Sequence, residues 1–179
     1  YTVVSIGSDI FDTVGAGTRK PKEDITSVTI PDCVTNISKW AFYAATHVTN
    51  VTMRGVETIG EEAFYHCTRL KTVIVGNKLK YISDGAFSGC ELLDTFKTYD
   101  ESQSGVVIPL SVRHIGGGAF RDCSSVRRII MENTVETISW SSFLYCKPTY
   151  LKVPKCVMYS SQNSNGEQAI IGTRYVDNK

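Results

Sequence analysis

The chain has 179 residues, of which 42% are hydrophobic and 21% are charged, values typical of a soluble globular domain with one core. Its 19 Lys and Arg residues nearly balance its 18 Asp and Glu residues, so it lacks the basic excess of a dedicated nucleic-acid-binding domain. No apolar stretch approaches the roughly 20 residues that cross a bilayer, and the chain does not open on a signal-peptide pattern. Direct membrane insertion of this segment is therefore not expected.

An internal repeat organises the chain. The phrase Ile-x-x-x-Ala-Phe-x-x-Cys recurs in exact or degenerate form, and its copies begin at Ile6, Ile37, Ile59, Ile82, Ile115 and Ile138. Successive copies are 22 or 23 residues apart, except that the steps to Ile37 and to Ile115 contain insertions of about 8 to 10 residues. A fixed period of this length predicts a solenoid of stacked repeats.

The second half of each repeat contains apolar residues with the spacing L-x-x-L-x-L, which is the strand signature of leucine-rich repeats. The sets are Ile25/Val28/Ile30, Val48/Val51/Met53, Leu70/Val73/Val75, Leu93/Phe96/Thr98 and Val126/Ile129/Met131, with a shortened version at Leu151/Val153. One repeat cannot bury its apolar face alone, whereas stacked repeats can. The sequence therefore predicts a leucine-rich-repeat array of about six 22–23-residue repeats, with a parallel β-sheet on one face and turns or short helical or 3-10 segments on the other.

The repeat pattern divides the chain into three parts of one domain. Residues 1–24 are predicted to hold a degenerate N-terminal repeat and an insertion. Residues 25–154 are predicted to form the solenoid. Residues 155–179 lose the pattern and are predicted to form a C-terminal cap or tail.

The Phe of the repeated phrase occupies one position in every copy, which predicts a buried aromatic row rather than a surface that stacks on a ligand. The members of this row are Phe42, Phe64, Phe87, Phe120 and Phe143.

Four of the six cysteines lie three residues after that Phe, namely Cys67, Cys90, Cys123 and Cys146. Ala45 and Val14 fill the same position in other copies, which favours a small buried position and a ladder of free thiols. Disulfides between neighbouring copies are the alternative, because stacked positions lie near the roughly 5.5 Å Cα separation that disulfides adopt. Zinc is not expected without a C-x-x-C or H-x-x-x-H pair. Cys33 and Cys156 lie in equivalent turns, where we expect partial burial, with a surface thiol or an intermolecular link as the alternatives.

The repeat resembles the BspA-like (Treponema pallidum-type) leucine-rich repeat, whose consensus is similar to I-P-x-x-V-x-x-I-G-x-x-A-F-x-x-C-x-x-L-x-x-V. One matching copy consists of Val56, Ile59, Gly60, Ala63, Phe64, Cys67, Leu70 and Val73, and the resemblance covers about residues 25–154. It implies a secreted or cell-surface protein of mucosal or gut bacteria, or of certain parasitic protists. It also implies a role in adhesion or in binding a host or extracellular-matrix protein.

Side chains that alternate with the buried strand residues are predicted to face solvent. The candidate protein-binding residues on this face are Arg54, Lys97, Tyr99, Arg128, Ile130, Tyr150 and Lys152. Tyr and Arg are favoured at protein interfaces. The insertion from Tyr99 to Gly105 is predicted to be a specificity loop beside this face.

Two functions of different classes fit the sequence. The first is a non-enzymatic, adhesin-like binding module, and the second is a structural spacer that holds another domain at the cell surface without a ligand of its own. A contiguous apolar or aromatic strand face favours binding, and an evenly polar face favours the spacer. An enzyme is not expected, because no nucleophile, base or metal ligands occur at a recognisable spacing, and no cofactor-binding motif is present.

Overall fold

The computed structural model describes residues 5–6, 25–132 and 134–153, and within them the chain forms thirteen short strands and no helix. In chain order the strands are β1 (Ser5–Ile6), β2 (Ser27–Ile30), β3 (Asn36–Ile37), β4 (Asn50–Met53), β5 (Thr58–Ile59), β6 (Thr72–Val75), β7 (Tyr81–Ile82), β8 (Thr95–Thr98), β9 (Val106–Val107), β10 (His114–Ile115), β11 (Arg128–Ile130), β12 (Thr137–Ile138) and β13 (Tyr150–Lys152).

These strands form two parallel sheets that run along the stack. The wide sheet has the order β2-β4-β6-β8-β9-β11-β13, and the narrow sheet has the order β1-β3-β5-β7-β10-β12. The predicted solenoid with a parallel sheet on one face is confirmed. Opposite that sheet, the described residues form the two-residue strands of the narrow sheet and a series of turns, and the sequence did not predict this second sheet.

The register of the wide sheet explains the L-x-x-L-x-L spacing. Val51 pairs with Val73, and Val73 pairs with Phe96, so equivalent apolar side chains lie side by side across the sheet. All three are at most 1% exposed. Burying an aliphatic or aromatic side chain of this size stabilises the fold by about 1.5–3 kcal/mol, so the repeated core dominates the stability of the stack.

The predicted aromatic row is confirmed. The rings of Phe42, Phe64, Phe87, Phe120 and Phe143 are buried and stack in series, with centroid separations of 4.7, 5.1, 5.3 and 5.0 Å. Because one ring comes from each repeat, the row fixes the spacing of the repeats along the stack.

The predicted ladder of free thiols is confirmed for Cys67, Cys90, Cys123 and Cys146, which are buried and unbonded to one another. Each Sγ lies 3.0–3.2 Å from the backbone carbonyl oxygen of the Phe in the preceding repeat and donates to it. The thiol therefore satisfies a buried backbone acceptor while it fills a small apolar space. Alanine at this position fills the space without providing the donor.

The expectation of partial burial for Cys33 is wrong, because this thiol is exposed. The Val34 N–H donates to the Pro31 carbonyl at 3.0 Å and closes a tight turn. That turn directs Val34 into the core, where it is 1% exposed, and leaves Cys33 on the outside. Cys156 lies outside the described residues.

The turn side of each repeat contains two residues with left-handed backbone. The first precedes the Ala-Phe pair or its equivalent and has φ between 51° and 61°, at Trp40, Glu62, Gly85, Gly118 and Ser141. The second follows the Phe by two residues and has φ between 52° and 75°, at Ala44, His66, Gly89, Asp122 and Tyr145. Except in the last described repeat, their N–H groups donate to the next repeat, as in Trp40 to Glu61 at 3.1 Å and Ala44 to Tyr65 at 2.8 Å. The turn side thus stacks by regular hydrogen bonds without being a sheet.

Adjacent glycines in one turn provide a test of this backbone strain. Replacement of Gly118 (φ 61°) by Ala is expected to lower the free energy of unfolding by about 1 kcal/mol, because a Cβ is disfavoured in the left-handed region. Space is not limiting, since the nearest atom to that Cβ would be 3.7 Å away. Gly117→Ala is the matched control, because Gly117 has ordinary φ and similar free space, and it should be neutral or slightly stabilising. Urea unfolding measures both, and equal effects of the two changes would contradict the argument.

The second insertion adds a strand to one sheet alone. Strand β9 lies between β8 and β11 in the wide sheet, whereas β7 and β10 are direct neighbours in the narrow sheet. The stack therefore opens by one strand spacing, roughly 4.8 Å, on the wide side only. Phe96 fills the opened space, and its ring packs edge-on against Phe87 at 5.4 Å and Phe120 at 5.3 Å. The insertion acts as a wedge in the solenoid.

Candidate protein-binding face

The outer face, defined here as the solvent side of the wide sheet, changes character along the stack. One row of register partners begins with the short polar side chains of Ser27, Asn50, Thr72 and Thr95 and ends with Arg128 and Tyr150. In this row, long cationic and aromatic side chains therefore occur only after the wedge. Gly105 stands between Thr95 and Arg128 in this row, and a Cβ there would lie 2.6 Å from the Arg128 Cβ.

Two Arg–Tyr pairs lie on or beside the outer face. The Arg54 guanidinium carbon is 5.1 Å from the Tyr99 ring centroid, and the Arg128 guanidinium carbon is 4.5 Å from the Tyr150 ring centroid. Gly76 follows the strand between Arg54 and Tyr99 and has no side chain, so the arginine spans this gap. Each pair contributes about 0.5–1 kcal/mol at an exposed site, which favours the paired orientation of the tyrosine roughly two- to fivefold.

The two predicted lysines are held by different acceptors, a backbone carbonyl for Lys97 and a carboxylate for Lys152. Lys97 Nζ donates to the Glu101 carbonyl oxygen at 2.7 Å, while the Glu101 carboxylate accepts the Gln103 N–H at 2.7 Å. Lys97 therefore organises the insertion loop. Lys152 Nζ contacts the Glu132 carboxylate at 2.5 Å, and this hydrogen bond raises the pKa of Lys152.

The predicted solvent exposure of Ile130 is wrong, because the residue is only 4% exposed. Ile130 does point to the outer side of the sheet, but strand β9 brings Val107 beside it as its register partner. Val107 is 8% exposed, so the two side chains bury each other on that side. The pairing partner comes from the insertion, which the repeat period did not place in the sheet.

The structure brings the remaining six candidates together as two groups rather than one patch. Arg54, Tyr99 and Lys97 surround the insertion loop, and Arg128, Tyr150 and Lys152 lie at the end of the sheet after the wedge. Sequence reasoning found these residues but missed their pairing, which depends on Gly76 and on β9. Arg128 also has a buried Nε–H without a hydrogen-bond partner among the described residues.

Within residues 25–132 and 134–153, no three His, Cys, Asp or Glu side chains are grouped so that they could hold a metal ion. The same residues contain no helix long and apolar enough to cross a membrane.

A two-sheet stack of parallel strands, with the strand spacing and the Phe and Cys rows described above, defines a leucine-rich-repeat solenoid. Comparison with protein families gives the same result, because the model of the BspA type leucine rich repeat region matches residues 20–104 and 94–166 in six copies. The chain belongs to this family. No curated protein matches the chain.

Two solved structures show the same architecture. A leucine-rich repeat protein from Bacteroides ovatus is 27% identical over 73% of this chain, with a TM-score of 0.63, and the match spans 34% of that protein. The Treponema pallidum leucine-rich repeat protein is also 27% identical over 73% of this chain, with a TM-score of 0.55, and the match spans 71% of it. The chain therefore corresponds to about a third of the Bacteroides protein's length.

Proposed function

We propose that this chain is a non-enzymatic, adhesin-like module that binds a host or extracellular-matrix protein through the outer face. The observation that carries the proposal is the pair of Arg–Tyr contacts, which favour one orientation of each tyrosine while leaving 58% of Tyr99 and 45% of Tyr150 exposed. Tyr and Arg are the residue types most often found at the energetic centres of protein interfaces.

The rigidity of the array supports this function. An interface loses less conformational entropy on binding when its side chains are already ordered, and here Arg54, Lys97 and Tyr99 are held against a continuous sheet. Arg54 and Arg128, which make no ion pair within the described residues, also favour a partner whose surface is acidic, because complementary charge accelerates association.

We also propose that the protein is secreted or displayed at the cell surface, as the resemblance to BspA-like repeats implies. Free cysteines in an oxidising compartment are the main objection to this location. The four ladder thiols are at most 3% exposed, and burial raises the pKa of Cys90 and Cys123, so oxidants have little access to the ladder. Among the described cysteines, the exposed Cys33 is the one thiol open to oxidation.

The test is surface plasmon resonance of the chain against a panel of extracellular-matrix and plasma proteins. For a partner that binds saturably, the double change Arg54→Glu/Tyr99→Ala is expected to raise Kd at least tenfold, which corresponds to about 1.4 kcal/mol. The matched control is Arg121→Glu/Tyr145→Ala, which removes a similar pair on the turn side, where the Arg121 guanidinium carbon lies 5.5 Å from the Tyr145 ring centroid. Tyr145 is 57% exposed, so the control removes as much surface aromatic as Tyr99 does.

An equal loss of binding in the two double variants would show that the outer face is not the site. If no protein of the panel binds saturably, the spacer function is favoured instead.

A further inference from the structure

A groove on the opposite side of the solenoid lies outside the proposed protein-binding face. It is open to solvent, has a volume of about 340 Å³ and follows the solvent side of the narrow sheet across β7, β10 and β12. Its lining includes Tyr81, His114, Asp84, Ser83, Gly116 and Ser139.

The other repeats serve as an internal comparison for this groove. Tyr81 and His114 occupy a register position that is Ser5, Asn36, Thr58 or Thr137 in the remaining narrow strands. One residue past the strands, the position is Ser38, Gly60, Ser83, Gly116 or Ser139. In the groove, the rings of Tyr81 and His114 therefore replace short polar side chains. Gly116, which has no side chain, lies between Ser83 and Ser139 and leaves more space there.

The two rings form an ordered wall. The Tyr81 and His114 rings are parallel within 5°, with centroids 4.9 Å apart. His114 Nδ1 hydrogen-bonds Thr137 Oγ1 at 2.6 Å, which fixes the imidazole plane. Stacking covers one face of each ring, and Tyr81, which remains 45% exposed, supplies accessible aromatic surface with a phenol hydroxyl at its edge.

The polar groups of the groove are partly unused. Asp84 Oδ1 accepts the Gly117 N–H at 2.7 Å, which leaves its second carboxylate oxygen without a partner among the described residues. The hydroxyls of Ser83 and Ser139 likewise make no hydrogen bond within the described part of the chain. Trp140, which is 60% exposed, also lies close to Gly117. A Cβ added to Gly117 would be 3.7 Å from Asp84 Oδ1 and 3.8 Å from Trp140 Nε1.

We propose that this groove binds a neutral sugar unit of a glycan. A carboxylate oxygen accepts hydrogen bonds from ligand hydroxyls, and the serine hydroxyls both accept and donate, which is the complement that a polyhydroxylated ring requires. The apolar face of such a ring would pack on the Tyr81–His114 wall, with the Trp140 indole beside it. Small-molecule sites are typically concave and largely pre-formed, with a few convergent polar groups.

Charge favours a neutral ligand over an ionic one. Glu61 is paired with Lys39 at 2.7 Å, so Asp84 is the one carboxylate of the groove lining without an ion pair in the described residues. The Asp84 carboxylate repels anionic sugars. It would bind a cation only weakly, because one of its oxygens already accepts a hydrogen bond from the Gly117 N–H.

The test is saturation-transfer NMR of the full chain with a panel of neutral oligosaccharides, followed by titration of any that bind. Tyr81→Thr/His114→Thr replaces both rings with the residue that stands at this position in β5 and β12, so the fold should be retained in the far-UV spectrum. We expect at least a tenfold loss of affinity in this variant. Arg54→Glu/Tyr99→Ala, which changes the outer face, is the matched control and should bind the glycan as the wild type does.

A second variant, Asp84→Asn, keeps the shape of the groove and should weaken glycan binding by several fold. Binding of a neutral glycan should also be insensitive to ionic strength, whereas a cationic ligand would be screened. The proposal is overturned if no neutral glycan binds saturably, if the Tyr81/His114 variant binds as the wild type does, or if only a lysine-rich peptide occupies the groove. These outcomes are independent of the plasmon resonance experiment, because the two sites lie on different sheets.

Discussion

Replacing Phe96 with Val, the residue at the equivalent position in the two preceding repeats, is expected to lower the free energy of unfolding by about 2–3 kcal/mol. Phe96 is fully buried and lies against Phe87 and Phe120 in the space that the wedge opens. Valine cannot fill this space, and a rigid stack closes poorly around a cavity. The loss therefore combines the missing burial with the cost of the void.

The reverse change one repeat earlier provides the control. Val73 occupies the same register position as Phe96, but its strand β6 has ordinary neighbours on both sides. Val73→Phe should therefore overpack the core and also destabilise, by about 1–3 kcal/mol. Urea denaturation of the wild type and both variants measures the effects. A Phe96→Val variant within 0.5 kcal/mol of the wild type, a difference of about the size of a surface substitution, would show that the ring does not fill the wedge.

Phe96 also shows how far the sequence alone can lead. The solenoid, the parallel wide sheet, the aromatic row and the thiol ladder were all predictable, because each repeat places its equivalent residue in the same surroundings. Periodicity then gives both the spacing and the side that faces the core. A Phe in a Val position looks like an ordinary apolar substitution in such a pattern, and only the extra strand explains its size.

The wrong prediction for Ile130 has the same origin. Alternation along β11 assigns the residue to the solvent side correctly, but burial depends on Val107, which comes from an insertion of no fixed register. Pairing between an insertion and a repeat is a non-local interaction, and the repeat period does not specify it. Insertions are where burial assignments based on alternation fail in this fold.

The groove residues were missed for a different reason. Tyr81 and His114 precede the repeated Ile, where the repeat pattern predicts a turn and the structure has the narrow sheet. A signal was present, because this column of the aligned repeats contains short polar residues except in two adjacent copies. Comparing the variable columns of a repeat array, and not only its constant ones, would have drawn attention to them.

The second large effect is expected on the alkaline side. Burial raises the pKa of the Cys90 and Cys123 thiols well above the usual value. Each Sγ–H also donates a hydrogen bond to a backbone carbonyl, and a thiolate has no proton with which to make this bond. The folded state therefore keeps both protons at a pH where the unfolded chain, with thiol pKa values near about 8.5, releases them. The contribution of the two protonated thiols to the free energy of unfolding is fully present below about pH 8.5 and is lost as the pH rises above that value.

The expected slope follows from proton linkage. Each retained proton lowers the free energy of unfolding by about 1.4 kcal/mol per pH unit, so the two thiols together remove about 2–3 kcal/mol between pH 9 and pH 10. Urea unfolding curves between pH 7 and pH 10.5 measure the loss directly.

The matched variant is Cys90→Ala/Cys123→Ala, which is structurally reasonable because Ala45 fills the same buried position in another repeat. It should be less stable than the wild type at pH 7, since each change removes a hydrogen bond and leaves a small void, and its alkaline slope should be shallower. Tyr and Lys titrations affect both proteins alike, so the difference between the two curves isolates the thiols. Because the difference must shrink as the pH rises, parallel curves would mean that the two thiols ionise as readily in the folded stack as in the unfolded chain.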